Sequence, residues 1–228
     1  MPQHIAIIMD GNRRWAMQQG KPAFYGHQAG STALHRAVQY CLDKRIRYLS
    51  VYVFSTENWR RPTDQTRGLL RLFNTLLQQH ISEATARHIQ IQCLGDLAGL
   101  PAFMQQTIAV AHNQVVSPVL TLNLMINYGS HDEILRACGI LAQQLHTGEL
   151  RPETLTRAHI QAALYTADMP NPDIIIRTGN TLRLSNFMLW QAAYAELFFL
   201  PILWPEFTED TLDGVVAAYH ARDRTFGE

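Results

Sequence analysis

The stretch Asp10-Gly11-Asn12-Arg13-Arg14, which follows the apolar run His4 to Met9, concentrates more reactive side chains than any other part of the chain. Gly11 lets the backbone turn tightly and approach a ligand, and a helix starting just after it offers free N–H groups to an anion. Arg13 and Arg14 add forked donors suited to phosphate, and His27 in Tyr25-Gly26-His27 can supply another. Asp10 sits in the middle of this positive group, where a carboxylate repels a phosphate unless a cation bridges them. A hard divalent ion with oxygen ligands, magnesium by its chemistry, resolves the conflict. A plainer reading competes with this one: Asp10 caps the next helix, and Arg13 and Arg14 are solvated surface charges. Spacing alone leaves both open.

A second basic group, Arg177, Arg183 and Ser185, surrounds Gly179 and can hold another diphosphate, or it is a surface loop with ordinary arginines. Glu196 falls in an almost wholly apolar segment, Asn186 to Phe199, that reads as a buried helix. A lone carboxylate there is costly unless paired in a salt bridge or bound to metal.

These groups need elements to hold them. Apolar runs His4 to Met9, Tyr48 to Phe54, His88 to Leu94, Leu120 to Asn127 and Asp173 to Arg177 read as strands. Between them lie helical patterns: Leu34 to Leu42, Leu69 to Leu77, Ile134 to Leu145, and Thr211 to His220 at the end. Such alternation predicts an α/β fold, a mostly parallel sheet flanked by helices. Arg151-Pro152 and Met169-Pro170-Asn171-Pro172 read as loops, so residues 1–228 are expected to form one domain. In such sheets ligands bind beyond the carboxyl ends of the strands. Three of those ends carry polar sequence: Asp10 to Arg14, Ser55-Thr56-Glu57-Asn58, and Arg177-Thr178-Gly179.

Composition removes several function classes. With 19 basic and 19 acidic side chains in 228 residues, the chain lacks the basic excess of a general nucleic-acid or membrane-surface binder. No apolar run approaches a bilayer span, and Met1 leads almost directly into a strand-like segment, so neither a transmembrane segment nor a signal peptide is expected. Three scattered cysteines among apolar neighbours read as reduced core thiols of a cytoplasmic protein. The ten histidines show neither metal-ligand spacing nor a triad partner, and most read as surface or helix residues.

Read in order, the segments His4 to Ala16, Phe54 to Pro62, Asn127-Tyr128-Gly129, Ile176 to Gly179, Arg183 to Phe199, Leu203 to Phe207 and Arg222 to Gly227 resemble the cis-prenyltransferases, the family of undecaprenyl diphosphate synthase. The resemblance covers essentially the whole chain. It implies a homodimer with an apolar substrate tunnel between sheet and helices, acting on small isoprenoid diphosphates with magnesium. It assigns Asp10 and Glu196 to the metal. Gly11, Asn12, Arg13, Arg14 and His27 would surround the allylic diphosphate, and Arg177, Arg183 and Ser185 the homoallylic one. Asp10, Asn12, Ser55 and Asn58 become the catalytic candidates, with Trp59 and Arg61 ordering the joining region. The segment Arg222 to Gly227 would reach towards the partner's site. The proton lost in the reaction can go to the departing diphosphate or to an Asn12/Ser55 relay.

Departures from the family pattern bear on the product. Ala23 stands where an arginine is common, and Arg13 where a glycine is usual. Gly129-Ser130-His131 replaces a Gly-Gly-Arg, Gly179-Asn180-Thr181 lacks the usual glutamate, and Gln65 stands at a commonly acidic position. Val53, Met125 and Ile126, with Trp59, are the expected tunnel residues, bulkier than in long-chain members, which points to a short product. Ordinary core repacking would explain the same bulk. The altered loop at Asn180 and Thr181 raises a head-to-middle, lavandulyl-type condensation of dimethylallyl diphosphate as an alternative. A long-chain undecaprenyl diphosphate synthase, a non-catalytic partner subunit and a simple phosphate-binding module complete the competing classes.

Overall fold

The computed structural model describes residues 1–112 and 115–222. Among these, six strands form one parallel sheet in the order β3-β4-β2-β1-β5-β6. The strands are β1 (His4–Ile8), β2 (Tyr48–Ser55), β3 (Ile89–Leu94), β4 (Leu120–Tyr128), β5 (Ile174–Arg177) and β6 (Glu196–Phe199). Helices α1 (Asn12–Gln18), α2 (Ala23–Asp43), α3 (Thr63–Ala86), α4 (Ala102–Ala111), α5 (Ser130–Thr147), α6 (Arg157–Ala163) and α7 (Glu209–His220) complete the order.

Alternation along the strands sorts the two faces. Ile5 and Ile7 join the larger core with residues of α2, α3, α4 and α7, while Ala6 and Ile8 turn to the smaller core on the other face. The same alternation turns Leu122, Leu124 and Ile126 of β4 to the larger core and Met125 away from it. In β2 the register with β4 shifts around Val53, a bulge that brings both Val53 and Phe54 against the larger core. On α3, Leu70, Leu77 and Ala84 recur at seven-residue intervals and form its buried stripe.

The segment Asn186 to Phe199 is not a helix. It runs through turns and a 3-10 turn, Gln191–Tyr194, into β6, which pairs with β5 from Ile174↔Glu196 to Arg177↔Phe199. A short apolar run does not distinguish a buried strand from a helix by periodicity, and here an open sheet edge beside β5 takes it. Cys41 and Cys93 are buried free thiols, as expected, but Cys138 lies on the exposed side of α5.

Strand β1 lies between β2 and β5, so the chain leaves β1 towards one side and returns much later to the other. The ends of β1 and β5 therefore border a topological switch point, where open α/β sheets bind their ligands. Gly26 keeps α1 pressed on α2 beside that point: a Cβ there would lie 1.9 Å from the Asn12 carbonyl oxygen. Gly26→Ala is expected to destabilise the fold by about 1–3 kcal/mol or more. Denaturant titration checks this; an unchanged midpoint would mean the helices are not in contact.

His4, in the first strand as expected, is fully buried. Its Nδ1 donates to the Pro170 carbonyl at 2.7 Å, so the neutral ring accepts at Nε2 from the Ser50 hydroxyl, also at 2.7 Å. Burial pushes its pKa down to about 4. The unfolded chain thus takes up a proton between pH 6.5 and 4 that the folded chain refuses, and stability falls as pH falls through that window. The share of His4 is at most about 3 kcal/mol. His4→Gln should flatten the stability–pH slope there; a parallel slope would contradict the buried neutral ring.

Candidate active site

The carboxyl ends of β1 and β5 bring the two basic groups together. Arg177 at the end of β5 is buried, and its Nη2 donates to Asp10 Oδ2 at 3.0 Å. Its Nη1 donates to the Arg183 carbonyl at 2.6 Å and to Ser185 Oγ at 2.7 Å. Arg14, one helical turn on from Asp10, donates to the other carboxylate oxygen at 3.1 Å. The Thr178 hydroxyl, donating to the Asp10 carbonyl at 2.7 Å, fixes the aspartate backbone.

Asp10 therefore does not cap α1. Gly11 is the N-cap residue, in the left-handed region at φ 114°, and α1 has no side-chain cap. Gly179, at φ +85°, is also required: a Cβ there would lie 2.4 Å from the Arg14 guanidinium. Two polar atoms at this point are buried without a partner among the described residues, Arg177 Nε and Asn12 Oδ1. Such atoms are costly unless something completes them.

Below this group opens a cavity of about 710 Å³ between the sheet, α2 and α3. Asp10, Asn12, His27, Ser55, Asn58, Arg61, Arg177 and Ser185 line its mouth, and Val53, Phe54, Leu69, Leu70, Phe73, Leu76, Leu77, Leu124 and Ile126 its body. His27 is half-buried beside Arg61, and burial first, then that guanidinium, lower its pKa to about 4. At neutral pH it presents an uncharged imidazole to the mouth. Ser55 opens the turn Thr56–Arg60, with its N–H donating to Asn58 Oδ1 at 3.3 Å. Four non-glycine residues of the loop after β5 hold left-handed backbone, Asn180 (φ 53°), Ser185 (φ 51°), Asn186 (φ 65°) and Met188 (φ 47°). Strain of this kind, on the order of 1–3 kcal/mol per residue, gathers at functional sites.

Several expected residues stand elsewhere. Arg13 is exposed on α1 and does not line the cavity, because the first turn points it to solvent. Arg14 touches the mouth only through Asp10, and Arg183 is exposed, meeting Arg177 through its carbonyl. Met125 faces the opposite side of the sheet and is not a cavity residue. Trp59 is half-exposed and also outside the cavity; its Nε1 donates to Asn127 Oδ1 at 2.7 Å. Glu196 opens β6, and its N–H donates to the Asp173 carbonyl at the amino end of the sheet. It is thus about 10 Å along the strand from the level of Arg177. Its carboxylate pairs with Arg222, so within this chain it does not meet Asp10. Of the segment Arg222 to Gly227, residues 223–227 lie outside the described residues.

Sequence reasoning passed over Thr178 and Asn186. The latter donates to Glu57 at 2.8 Å and accepts from the His131 N–H at 2.8 Å, tying the loop after β5 to the turns after β2 and β4. The left-handed run that starts at Ser185 gives no sequence signal, since serine and methionine rarely adopt it.

The geometry is that of an anion-gripping mouth over an apolar cavity, and comparison with known proteins agrees with it. A family model described as "Putative undecaprenyl diphosphate synthase" matches residues 8–227. An isoprenyl transferase of Heliobacterium mobile is 40% identical over 228 residues, covering 100% of this chain and 88% of the relative. A ditrans,polycis-undecaprenyl-diphosphate synthase ((2E,6E)-farnesyl-diphosphate specific) of Haemophilus ducreyi is 42% identical over 232 residues, covering 100% of this chain and 94% of its own. Among solved structures, lavandulyl diphosphate synthase from Lavandula x intermedia, in complex with dimethylallyl diphosphate, aligns with TM-score 0.96 and 32% identity over 100% of this chain and 98% of that one. A probable undecaprenyl diphosphate synthase from Campylobacter jejuni aligns with TM-score 0.80 and 30% identity, covering 100% and 99%. With its parallel sheet, its mouth at the switch point and its apolar cavity, the chain belongs to the cis-prenyltransferases, the undecaprenyl diphosphate synthase family.

Proposed function

We propose that this prenyltransferase condenses an allylic diphosphate with isopentenyl diphosphate, with magnesium, to give a short cis-prenyl diphosphate. The observation that carries the reading is the cavity itself, apolar along its body and crowned by Asp10, His27, Arg61 and Arg177. In the reaction the allylic C–O bond breaks and diphosphate leaves with the electron pair. The double bond of the second substrate forms the new C–C bond, and a proton lost from the neighbouring carbon restores a double bond. Arginines at the mouth stabilise the departing charge. The walls of Phe54, Phe73, Leu76 and Leu77 keep water from the cation-like carbon. Arg177, Arg183 and Ser185 are assigned to the homoallylic diphosphate, and Asn12, His27 and Arg14 to the allylic one. The unpartnered Arg177 Nε and Asn12 Oδ1 supply a donor and an acceptor for that assembly.

The residues fit magnesium in the manner that ion prefers, one or two carboxylates with the rest supplied by water and substrate phosphate. On this reading Asp10 is the ligand that the mouth itself supplies, while Glu196, at the other end of the sheet, pairs with Arg222 within the same chain. When bound, the ion would neutralise charge on the departing diphosphate. The reading includes a homodimer, which rests on the family resemblance. It also includes the cytoplasm, supported by the free thiols of Cys41 and Cys93.

The bulk of Val53 on the cavity wall supports the short product. One observation favours a second reading, head-to-middle condensation of dimethylallyl diphosphate. The likeness to lavandulyl diphosphate synthase is high, and Asn180, in left-handed backbone, with Thr181 replaces the acidic loop.

The test is incubation of the chain with magnesium and dimethylallyl, geranyl or (2E,6E)-farnesyl diphosphate, each with and without isopentenyl diphosphate, followed by mass and NMR analysis. Products that require isopentenyl diphosphate support the main reading. A branched product from dimethylallyl diphosphate alone supports the second, and no product from any pair leaves a partner subunit or phosphate-binding module. Asp10→Asn should lower turnover on the order of a hundredfold or more with an unchanged circular dichroism spectrum; near-normal rates would remove Asp10 from the chemistry. Val53→Ala should lengthen the product by about one unit, since the bulge aims Val53 into the cavity. An unaltered chain length would return Val53 to plain packing.

A further inference from the structure

The helix side of the cavity changes character along its depth. On α3 the lining residues from Leu69 through Leu77 are apolar, and below them His80 and Glu83, with Arg87 just past the helix, join the lining around Ala84. From α2, His35 stands in the lining beside Leu34 and Val38. His35 and Glu83 are exposed and His80 and Arg87 partly so, yet two contacts cross from one helix to the other. The rings of His35 and His80 meet edge to face across the two helices, with centroids 4.3 Å apart and planes at 84°. A second crossing lies deeper, where Arg87 Nη2 donates to Gln39 Oε1. Glu83 ties the two crossings together, 3.5 Å from both His80 Nδ1 and Arg87 Nη1. The sheet beneath stays apolar, with Ile89, Ile91 and Leu122.

Helix rise fixes the depth of this crossbar. His35 is eight residues beyond His27 at the mouth, about 12 Å at 1.5 Å per residue, and His80 is ten beyond Leu70, about 15 Å. An isoprene unit adds four chain bonds of about 1.5 Å in zigzag, close to 5 Å. The crossbar therefore sits about three units below the diphosphates. A growing tail that reaches it must displace water from imidazole, carboxylate and guanidinium groups and can offer no hydrogen bond in return.

We propose that His35 and His80, held by Glu83 and Arg87, are specificity-determining residues that limit the length of the tail the cavity accepts. This rests on the elongation reading above for its effect on products, while the limit on tail length can be tested without elongation. Unreactive saturated alkyl diphosphates of increasing length are titrated calorimetrically into the wild-type chain. Affinity is expected to rise with each added unit up to about fifteen carbons and then level off or fall. In the doubly substituted His35→Leu, His80→Leu chain it should go on rising, and elongation products should grow by at least one five-carbon unit. The doubly substituted His35→Asn, His80→Asn chain keeps the polarity and should retain the wild-type limit. Should the leucine pair fail to fold, Arg87→Met, which removes the charge behind both rings, is read the same way.

A wild-type series with no break, or the same break in the leucine chain, would overturn the proposal. A longer limit in both the leucine and asparagine chains would also overturn it, since loosened packing alone would then be the cause. A break that moves as expected in a chain making no isopentenyl-dependent product would uphold the limit and defeat the elongation reading.

Discussion

Arg177 is a buried cation at the end of a central strand, and Asp10, following the neighbouring strand, faces it at 3.0 Å and offsets its charge. Removing one partner of a buried pair leaves the other uncompensated, which costs far more than the pair contributes when whole. Much of the surrounding design protects this contact. Thr178 fastens the Asp10 backbone, Gly11 and Gly179 give the chain the turns and clearance it needs, and Ser185 takes another guanidinium donor. The left-handed loop beyond β5 is then held from outside by Asn186. Asp10 thus holds two guanidinium groups, Arg177 and Arg14, in fixed orientations at the switch point.

The neutral imidazole of His27 follows the same economy of charge. Burial and Arg61 keep it uncharged, so the mouth concentrates its positive charge on arginines that cannot lose it. Away from the mouth, polarity is excluded along the leucine face of α3 and returns only at the far end. The cavity is thus bounded chemically at both ends, while its sides are bounded by shape.

How much of this could be read from sequence depends on whether the signal is local. The strands β1 to β5 announced themselves as apolar runs; Asp10 and Arg177 stood out at the ends of such runs, and Ser185 as the hydroxyl beside two arginines around a glycine loop. What failed was information carried between elements. The last strand looked helical because its pairing partner is an edge that sequence does not display. Glu196 was assigned to the metal by resemblance, and only the register of β6 shows that within one chain it opens its strand away from Asp10. Met125 and Ile126 are adjacent in sequence and face opposite sides, a distinction that only the register of β4 decides. Val53 was legible as a cavity residue, though the bulge that aims it there was not. Cys138 shows the same limit, left outside the core that it was expected to join.

The pairing of β1 with β5 also governs when the molecule becomes competent. Asp10 and Arg177 are separated by 167 positions along the chain. Contacts between such distant segments are entropically slow to close. On the ribosome, the first strand emerges early and has β2 to pair with, but its other edge stays bare until most of the chain has been made. Until then the nascent molecule has a bare strand edge and no assembled charge pair, so it offers chaperones an aggregation-prone surface while offering substrates nothing to bind.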